Sequence, residues 1–119
     1  MATSLKNLSK HDPSGIPDGS SFYIGIAVAE WNEEVTGALL KGALETLKKA
    51  GVKEKHIEVR YVPGTFELPL ACLWMAQQKK TDAVIALGCV IQGETRHFDF
   101  ICDSTAATKR CLLQKATRI

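Results

Sequence analysis

The sequence has few aromatic residues, few prolines and no long apolar run, and its composition excludes several classes of protein. Aromatic residues make up 7% of the 119 residues, and proline occurs four times. No stretch approaches the ~18 apolar residues that a membrane-spanning helix needs. The composition, 45% hydrophobic and 24% charged with nine glycines, is not that of a disordered, collagen-like or coiled-coil chain. Because a domain commonly holds roughly 100–150 residues, a single domain is expected.

Motifs for metal, redox and nucleotide chemistry are also missing. The four cysteines lie at least nine residues apart, so there is no CxxC pair. Their mostly apolar neighbours predict reduced thiols in the cytoplasm. Three scattered histidines without an acidic cluster argue against a metal site. The motifs GxGxxG and GxxxxGKS/T are absent, which argues against dinucleotide binding and P-loop chemistry.

The two ends of the chain differ in character from its middle. Four cations and no acid follow Asp103, so the net charge of +2 arises there and is poor evidence for a nucleic-acid partner. Residues 1–21 are polar and contain turn-forming prolines and glycines but no apolar core. They predict a flexible arm rather than a secretory signal. Residues 22–119 are predicted to form the folded domain.

Hydrophobic periodicity predicts three alternating pairs of strand and helix. Strands are predicted at 22–29, 57–62 and 82–89, and helices at 32–50, 65–78 and from about 97 onward. The nearly unbroken apolar run of the first strand is typical of a strand covered on both faces, and the third strand is also fully apolar. The β-α-β-α-β-α order predicts a three-layer α/β/α fold, with a parallel sheet and right-handed crossovers.

Residue types at the helix ends predict where the helices begin and end. Asn32 and Thr65 are expected to cap the first two helices with their side chains, and Gly51 is expected to end the first. The apolar stripe of that first helix is predicted from four positions at helical spacing: Val35, Leu39, Leu44 and Leu47. Trp74, inside an apolar helix, is expected to lie in the core.

The unusual residues of the chain follow the carboxyl ends of the strands, where open α/β sheets bind ligands. Trp31 comes directly after the first strand. Its indole would either stack on a planar heterocycle or pack against the following helix. Glu67, at the start of the second helix, would either offset the helix dipole or accept hydrogen bonds from hydroxyls or a ring N–H.

The segment before the third helix combines an anion-binding feature with a histidine. Thr95 and the amides of the helix start form a weak anion-binding motif, while Arg96 is more simply explained as a solvated cation. His97 could move protons near neutrality, although a histidine at a helix start is also often structural. His11 and His56 are interpreted as bystanders. The residues alone therefore predict binding of a flat, hydroxylated heterocycle and a phosphorylated partner.

Three segments of the chain carry a specific resemblance to a known family. They are AVAEWNEEVTGALLKGALETLKKAG, VPGTFELPLA and DAVIALGCVIQGETRHFDFIC, and together they cover about residues 22–105. The chain resembles the 6,7-dimethyl-8-ribityllumazine synthases of riboflavin biosynthesis. The resemblance implies a flavodoxin-like fold and a transferase that condenses 5-amino-6-(D-ribitylamino)uracil with 3,4-dihydroxy-2-butanone 4-phosphate. It implies no metal or redox cofactor.

The resemblance also implies roles for individual residues and a mode of assembly. Trp31 would stack on the pyrimidine ring, and His97 would transfer protons. The ribityl chain and ring edge would be held by Thr65, Phe66 and Glu67. The remaining contacts would come from Cys89, Val90 and Ile91 along the ring and from Glu94 and Thr95 at the butanone phosphate. Self-association as a pentamer or larger shell is implied, without nucleic-acid or membrane partners.

The resemblance is expected to end near Ser104. The family continues with a fourth strand, a final helix and a basic residue for the phosphate, whereas this chain continues with STAATKRCLLQKATRI. We interpret this tail as a truncation or an altered reading frame, which would leave the third strand as an exposed apolar edge. The alternative function is a non-catalytic remnant that binds a pterin- or flavin-like ligand or only assembles with full-length subunits.

Overall fold

The computed structural model of the chain describes residues 12–116, with side chains described as far as residue 108. Residues 1–11 of the predicted arm, including His11, lie outside the described residues. In the remainder of that segment, the Gly19 amide donates to the Ala50 carbonyl at 2.6 Å. The division into an arm and a domain stays a prediction.

In the part of the chain that the structure describes, three strands and three α-helices alternate, as predicted. They are β1 (Ile24–Ala29), α1 (Glu33–Lys49), β2 (Ile57–Val62), α2 (Leu68–Ala76), β3 (Ala83–Leu87) and α3 (His97–Ala116). Short 3-10 turns lie at Pro13–Gly15, Glu54–His56 and Thr65–Glu67. Within residues 12–116, no helix is long and apolar enough to cross a bilayer.

The strands form a parallel sheet in the order β2-β1-β3, which places β1 in the centre. Ile26 of β1 lies opposite Val59 of β2 and Ile85 of β3. The residues from Ile26 to Ala29 are buried because neighbouring strands flank β1 on both sides and helices cover its faces. This burial confirms the apolar run as a central strand.

The pleat of β1 divides the core between the two faces of the sheet. Ala27 and Ala29 pack against Leu68 and Met75 of α2. Because side chains alternate along a strand, Ile26 and its neighbours in the alternate register face the opposite layer. That layer is α1, which contacts β1, while α3 packs on α2. The fold is therefore the predicted three-layer, flavodoxin-like arrangement.

The end of α1 also follows the prediction. Gly51 has a φ of 86°, in the left-handed region that glycine adopts without steric cost. Its amide donates to the Lys48 carbonyl, and the Val52 amide donates to the Leu47 carbonyl, both at 3.0 Å. This pair of bonds is the Schellman motif, which satisfies carbonyls that the helix leaves open.

Three residues that were predicted to be buried are exposed. Val35 and Leu39, placed in the buried stripe of α1, are both exposed, and Thr36 is the buried residue of that helix. Trp74, expected in the core, is 64% exposed. In the second half of α1 the predicted stripe is confirmed, since Leu44 and Leu47 are half-buried. In the first half it passes through Thr36 and Leu40 instead.

Candidate substrate-binding site

The carboxyl ends of β1 and β2 are tied together beyond the last residues of the strands. The Glu30 amide donates to the Val62 carbonyl at 2.8 Å, and the Trp31 amide donates to the Pro63 carbonyl at 3.1 Å. The turn that carries Trp31 therefore lies beside the turn that carries Gly64. A Cβ atom added to Gly64 would lie 3.9 Å from Cδ1 of Trp31.

The predicted ring-binding residues supply exposed apolar side chains at the carboxyl ends of the strands, which we call the rim of the sheet. Trp31 is 72% exposed and Ile91 is 65% exposed, and Phe66 is also exposed. An indole so open to solvent is not packed against α1 in this chain, which favours the stacking interpretation of Trp31 over the packing one. Cys89 and Val90 are half-buried and lead from β3 to the rim.

The backbone carbonyl of Cys89 links the ends of all three strands. It accepts one hydrogen bond from Nδ2 of Asn32 and another from Oγ1 of Thr65, each at 3.2 Å. Asn32 follows β1, Thr65 follows β2 and Cys89 follows β3. We call these three groups the Cys89 clamp. A carbonyl oxygen has two lone pairs, so both donors can be accepted at once.

The clamp corrects the two predicted helix caps. Asn32 does occupy the position before α1, but its φ of 62° is left-handed and its side chain makes no capping bond. Thr65 begins a 3-10 turn, and the carboxylate of Glu67 instead accepts the Gly64 amide at 2.9 Å. Asn32 is therefore the N-cap by position, as predicted, but neither side chain makes a capping bond, because both donate across the sheet to Cys89.

Gly88 makes the approach of Thr65 possible. A Cβ atom at this position would lie 2.7 Å from Oγ1 of Thr65 and 2.6 Å from Cδ1 of Leu68. Both distances are shorter than van der Waals contact, so any larger residue would displace the hydroxyl from the Cys89 carbonyl. A glycine that ends an apolar strand signals such a close approach, and the sequence reasoning missed it.

Glu67 has a structural role that leaves half of its carboxylate uncommitted. Oε2 accepts the Gly64 amide, which helps to satisfy the start of the turn. The side chain is exposed and stands next to Phe66 at the rim. The dipole interpretation and the ligand interpretation of Glu67 are therefore compatible, because a carboxylate has two oxygens.

The segment from Glu94 to His97 is exposed and leads into α3, whose first residue is His97. Arg96 lies 3.7 Å from the carboxylate of Asp99 and 5.6 Å from the centre of the Phe100 ring. Asp99 is thus paired with Arg96. Among the side chains described, those of residues 12–108, no three from His, Cys, Asp or Glu gather as a metal site requires.

His56 lies at the opposite end of the sheet, as predicted. Its ring stacks on Tyr23 with the ring centres 3.8 Å apart. It belongs to the turn before β2, whereas the site lies after the strands. His56 is therefore remote from the Cys89 clamp.

Comparison with known proteins identifies the same segments. The family profile for 6,7-dimethyl-8-ribityllumazine synthase matches residues 21–115. That match continues past Ser104, where we expected the resemblance to end. The profile includes every predicted site residue.

Individual relatives are similar over most of the chain. A protein of Porphyromonas gingivalis named 6,7-dimethyl-8-ribityllumazine synthase is 53% identical over 102 residues, which cover 86% of this chain and 63% of that one. A protein of the same name from Cytophaga hutchinsonii is 55% identical over 106 residues, which cover 89% and 66%. The chain thus spans just under two thirds of the length of these relatives.

Proposed function

The chain belongs to the 6,7-dimethyl-8-ribityllumazine synthase family, and we propose that it catalyses the reaction that gives the family its name. It would condense 5-amino-6-(D-ribitylamino)uracil with 3,4-dihydroxy-2-butanone 4-phosphate and release phosphate and water. The observation that carries the proposal is the Cys89 clamp, since it gathers the predicted ring-binding residues at one edge of the sheet. No metal or redox cofactor is part of the proposal.

The pyrimidine would bind between the turns that the clamp joins. An exposed indole offers a flat apolar face, so Trp31 would stack on the ring. Cys89, Val90 and Ile91 would lie along the ring. Thr65, Phe66 and Glu67 would hold the ribityl chain and the ring edge, with the second oxygen of the Glu67 carboxylate available to the ribityl hydroxyls.

The phosphate partner would bind at the start of α3. Backbone amides at a helix N-terminus favour an anion, and the hydroxyl of Thr95 adds a donor. Glu94 would contribute through its backbone, because its carboxylate repels a phosphate. Arg96 would strengthen binding only if the phosphate displaced Asp99 from its guanidinium.

His97 would transfer protons beside that phosphate. Imine formation, phosphate elimination and ring closure each move protons, and an imidazole can carry them near neutrality. Holding both substrates in one site would remove much of the entropic cost of a bimolecular reaction. The proposal also includes self-association as a pentamer or larger shell and a cytoplasmic setting, with neither nucleic-acid nor membrane partners.

The proposal is tested by mixing the purified chain with both substrates and following the fluorescence of the lumazine product. Product is expected only when both substrates are present, so each substrate alone is the control. Calorimetric titration with each substrate separates binding from turnover. Pyrimidine binding without product would favour the non-catalytic ligand-binding alternative, and binding of neither substrate would contradict both functions.

A further inference from the structure

We infer that Asn32 is a positioning residue of this site, acting through the Cys89 carbonyl. Its side chain would hold the Trp31 indole at a fixed separation from the segment that begins at Cys89. The inference rests on the proposed function only for the identity of the ligand. The hydrogen bonds of the Cys89 clamp do not depend on that identity.

The backbone of Asn32 is held from the helix side. Its φ of 62° and ψ of 48° place it in the left-handed region, which asparagine tolerates better than most residues. Its carbonyl accepts the amides of Val35 and Thr36 at 2.9 and 3.0 Å. Thr36 is itself buried, so the first turn of α1 fixes the main chain next to Trp31.

The side chain of Asn32 is held from the sheet side. It donates to a carbonyl 57 residues further along the chain, in a partly buried position. A residue anchored at both its main chain and its side chain has little freedom to rotate. The Trp31 amide donates to the Pro63 carbonyl, and this hydrogen bond further restricts the motion of the same turn.

Thr65 supports the same carbonyl from the other edge of the sheet. β2 and β3 pair with β1 and not with each other, so the bond from Thr65 to Cys89 joins strands that the sheet leaves apart. Two donors from different turns thus converge on one oxygen. A flat ring lying between the Trp31 indole and residues 89–91 would need the distance between them to be constant.

The test uses Trp31 as its own reporter. Trp31 and Trp74 are the two tryptophans of the chain, so a Trp74→Phe background leaves one indole. Asn32→Gly removes the amide but accepts the positive φ, and Asn32→Asp keeps the shape but replaces the donor with an acceptor. Thr65→Val removes the second donor, whereas Thr65→Ser retains a hydroxyl.

A matched control removes a hydroxyl bond elsewhere. Thr46 donates to the Gly42 carbonyl within α1 at 2.8 Å, so Thr46→Val loses a similar bond away from the clamp. Each variant is titrated with 5-amino-6-(D-ribitylamino)uracil by quenching of Trp31 fluorescence. Hydrogen exchange of the ligand-free variants is measured in parallel at residues 30–32 and 89–91.

Asn32→Gly and Asn32→Asp should each weaken pyrimidine binding about threefold to tenfold, the range expected for one net hydrogen bond. Thr65→Val should weaken it more, because Thr65 is also proposed to hold the ribityl chain. Asn32→Gly, Asn32→Asp and Thr65→Val should also speed exchange at both measured segments, while Thr65→Ser and Thr46→Val should not. Because both donors share one oxygen, Asn32→Gly combined with Thr65→Val should speed exchange at residues 89–91 by less than the product of the single effects.

The outcomes separate the inference from the proposed function. Unchanged exchange at residues 89–91 in both Asn32 variants would overturn the positioning role. So would independent, multiplicative effects of Asn32→Gly and Thr65→Val on that exchange. If the Trp74→Phe parent binds no pyrimidine, the proposed function fails, and the exchange pattern alone then decides whether Asn32 positions the site.

Discussion

Asn32 and Thr65 show how a polar residue beside a helix start can serve the sheet rather than the helix. Both have the residue type of a cap, yet each donates to the Cys89 carbonyl. The helix starts are satisfied in other ways, by the Asn32 carbonyl for α1 and by the Glu67 carboxylate before α2. Residue type predicts a donor or acceptor, and its partner depends on which chain segments lie within reach.

At the residue scale, the proton-transfer role of His97 leads to a prediction. His97→Ala should lower turnover by about 10²–10⁴-fold, the usual contribution of general acid–base catalysis. Pyrimidine binding should hardly change, because Trp31 and residues 89–91 make the proposed contacts with the pyrimidine ring. Stopped-flow measurement of lumazine formation and separate pyrimidine titration check both parts, with His56→Ala as the matched control. Equal losses of binding and turnover would indicate that His97 holds substrate instead.

At the scale of elements, β2 shows how an exposed edge strand is stabilised by charge. The side chain of Glu58 is 27% exposed, and its Oε1 accepts Nε of Arg60 at 2.8 Å. This hydrogen bond lowers the pKa of Glu58, with smaller contributions from Gln78 and Lys80 and against the effect of burial. Charged side chains along an edge also discourage pairing with other strands.

The lowered pKa of Glu58 predicts a pH-dependent contribution to stability. The folded chain binds this proton less tightly than the unfolded chain, whose value is near 4.5. The stabilisation is therefore present above that pH and is lost as the pH falls through the lower native value. Because Arg60 and Lys80 are exposed, Glu58→Gln should cost only about 0.2–1 kcal/mol at neutral pH.

Thermal unfolding at a series of pH values measures this effect. The difference in Tm between the parent and Glu58→Gln should shrink as the solution is acidified below the ordinary glutamate range. Glu45→Gln, at an exposed position of α1, is the control. A difference that grows on acidification would show that the assigned direction is wrong.

The C-terminus of α1 allows a second prediction at this scale. Gly51→Ala should destabilise the fold by about 1–2 kcal/mol, because a side chain is strained in the left-handed region. The new Cβ would also lie 3.1 Å from Oδ1 of Asp18. Gly42, inside the same helix, has nothing within 4 Å of an added Cβ. Gly42→Ala should therefore stabilise the fold by about 0.5–1 kcal/mol. Chemical denaturation measures both variants, and changes of the same sign in the free energy of unfolding would contradict the prediction.

At the scale of the whole molecule, the side chains of residues 12–108 show little burial outside the central strand. The buried hydrophobic residues in this range are Ile26, Ala27, Val28, Ala29, Val52, Leu68 and Met75. Large apolar side chains remain exposed on β2, α2 and the rim, and within the described residues β2 and β3 each pair on one side only. Open strand edges and apolar surface of this kind favour association.

We therefore expect the purified chain to associate. Light scattering should give a mass above the 13.0 kDa of one chain, and the mass should rise with concentration. Trp74→Gln, which removes an exposed indole from the groove between Tyr61 and Leu70, should reduce that association. A monodisperse single chain with cooperative unfolding would contradict the argument from open surface.

The order of elements and the family were determined by the sequence alone. Apolar runs and the residue types at helix ends predicted each strand and helix to within a few residues, because hydrophobic periodicity and helix-end signals are local properties of the sequence. The Schellman end at Gly51 belongs to the same class. The location of the predicted site residues at one sheet edge also followed, since parallel strands place their carboxyl ends together.

The partners of individual side chains were decided only by the tertiary structure. No local pattern relates Asn32 to Cys89, which lies 57 residues away, and no local pattern places Thr65 against Gly88. The exposure of Trp74 likewise depends on which layers cover α2. These features arise from long-range packing, in which a left-handed turn or the absence of one methyl group determines which polar groups meet.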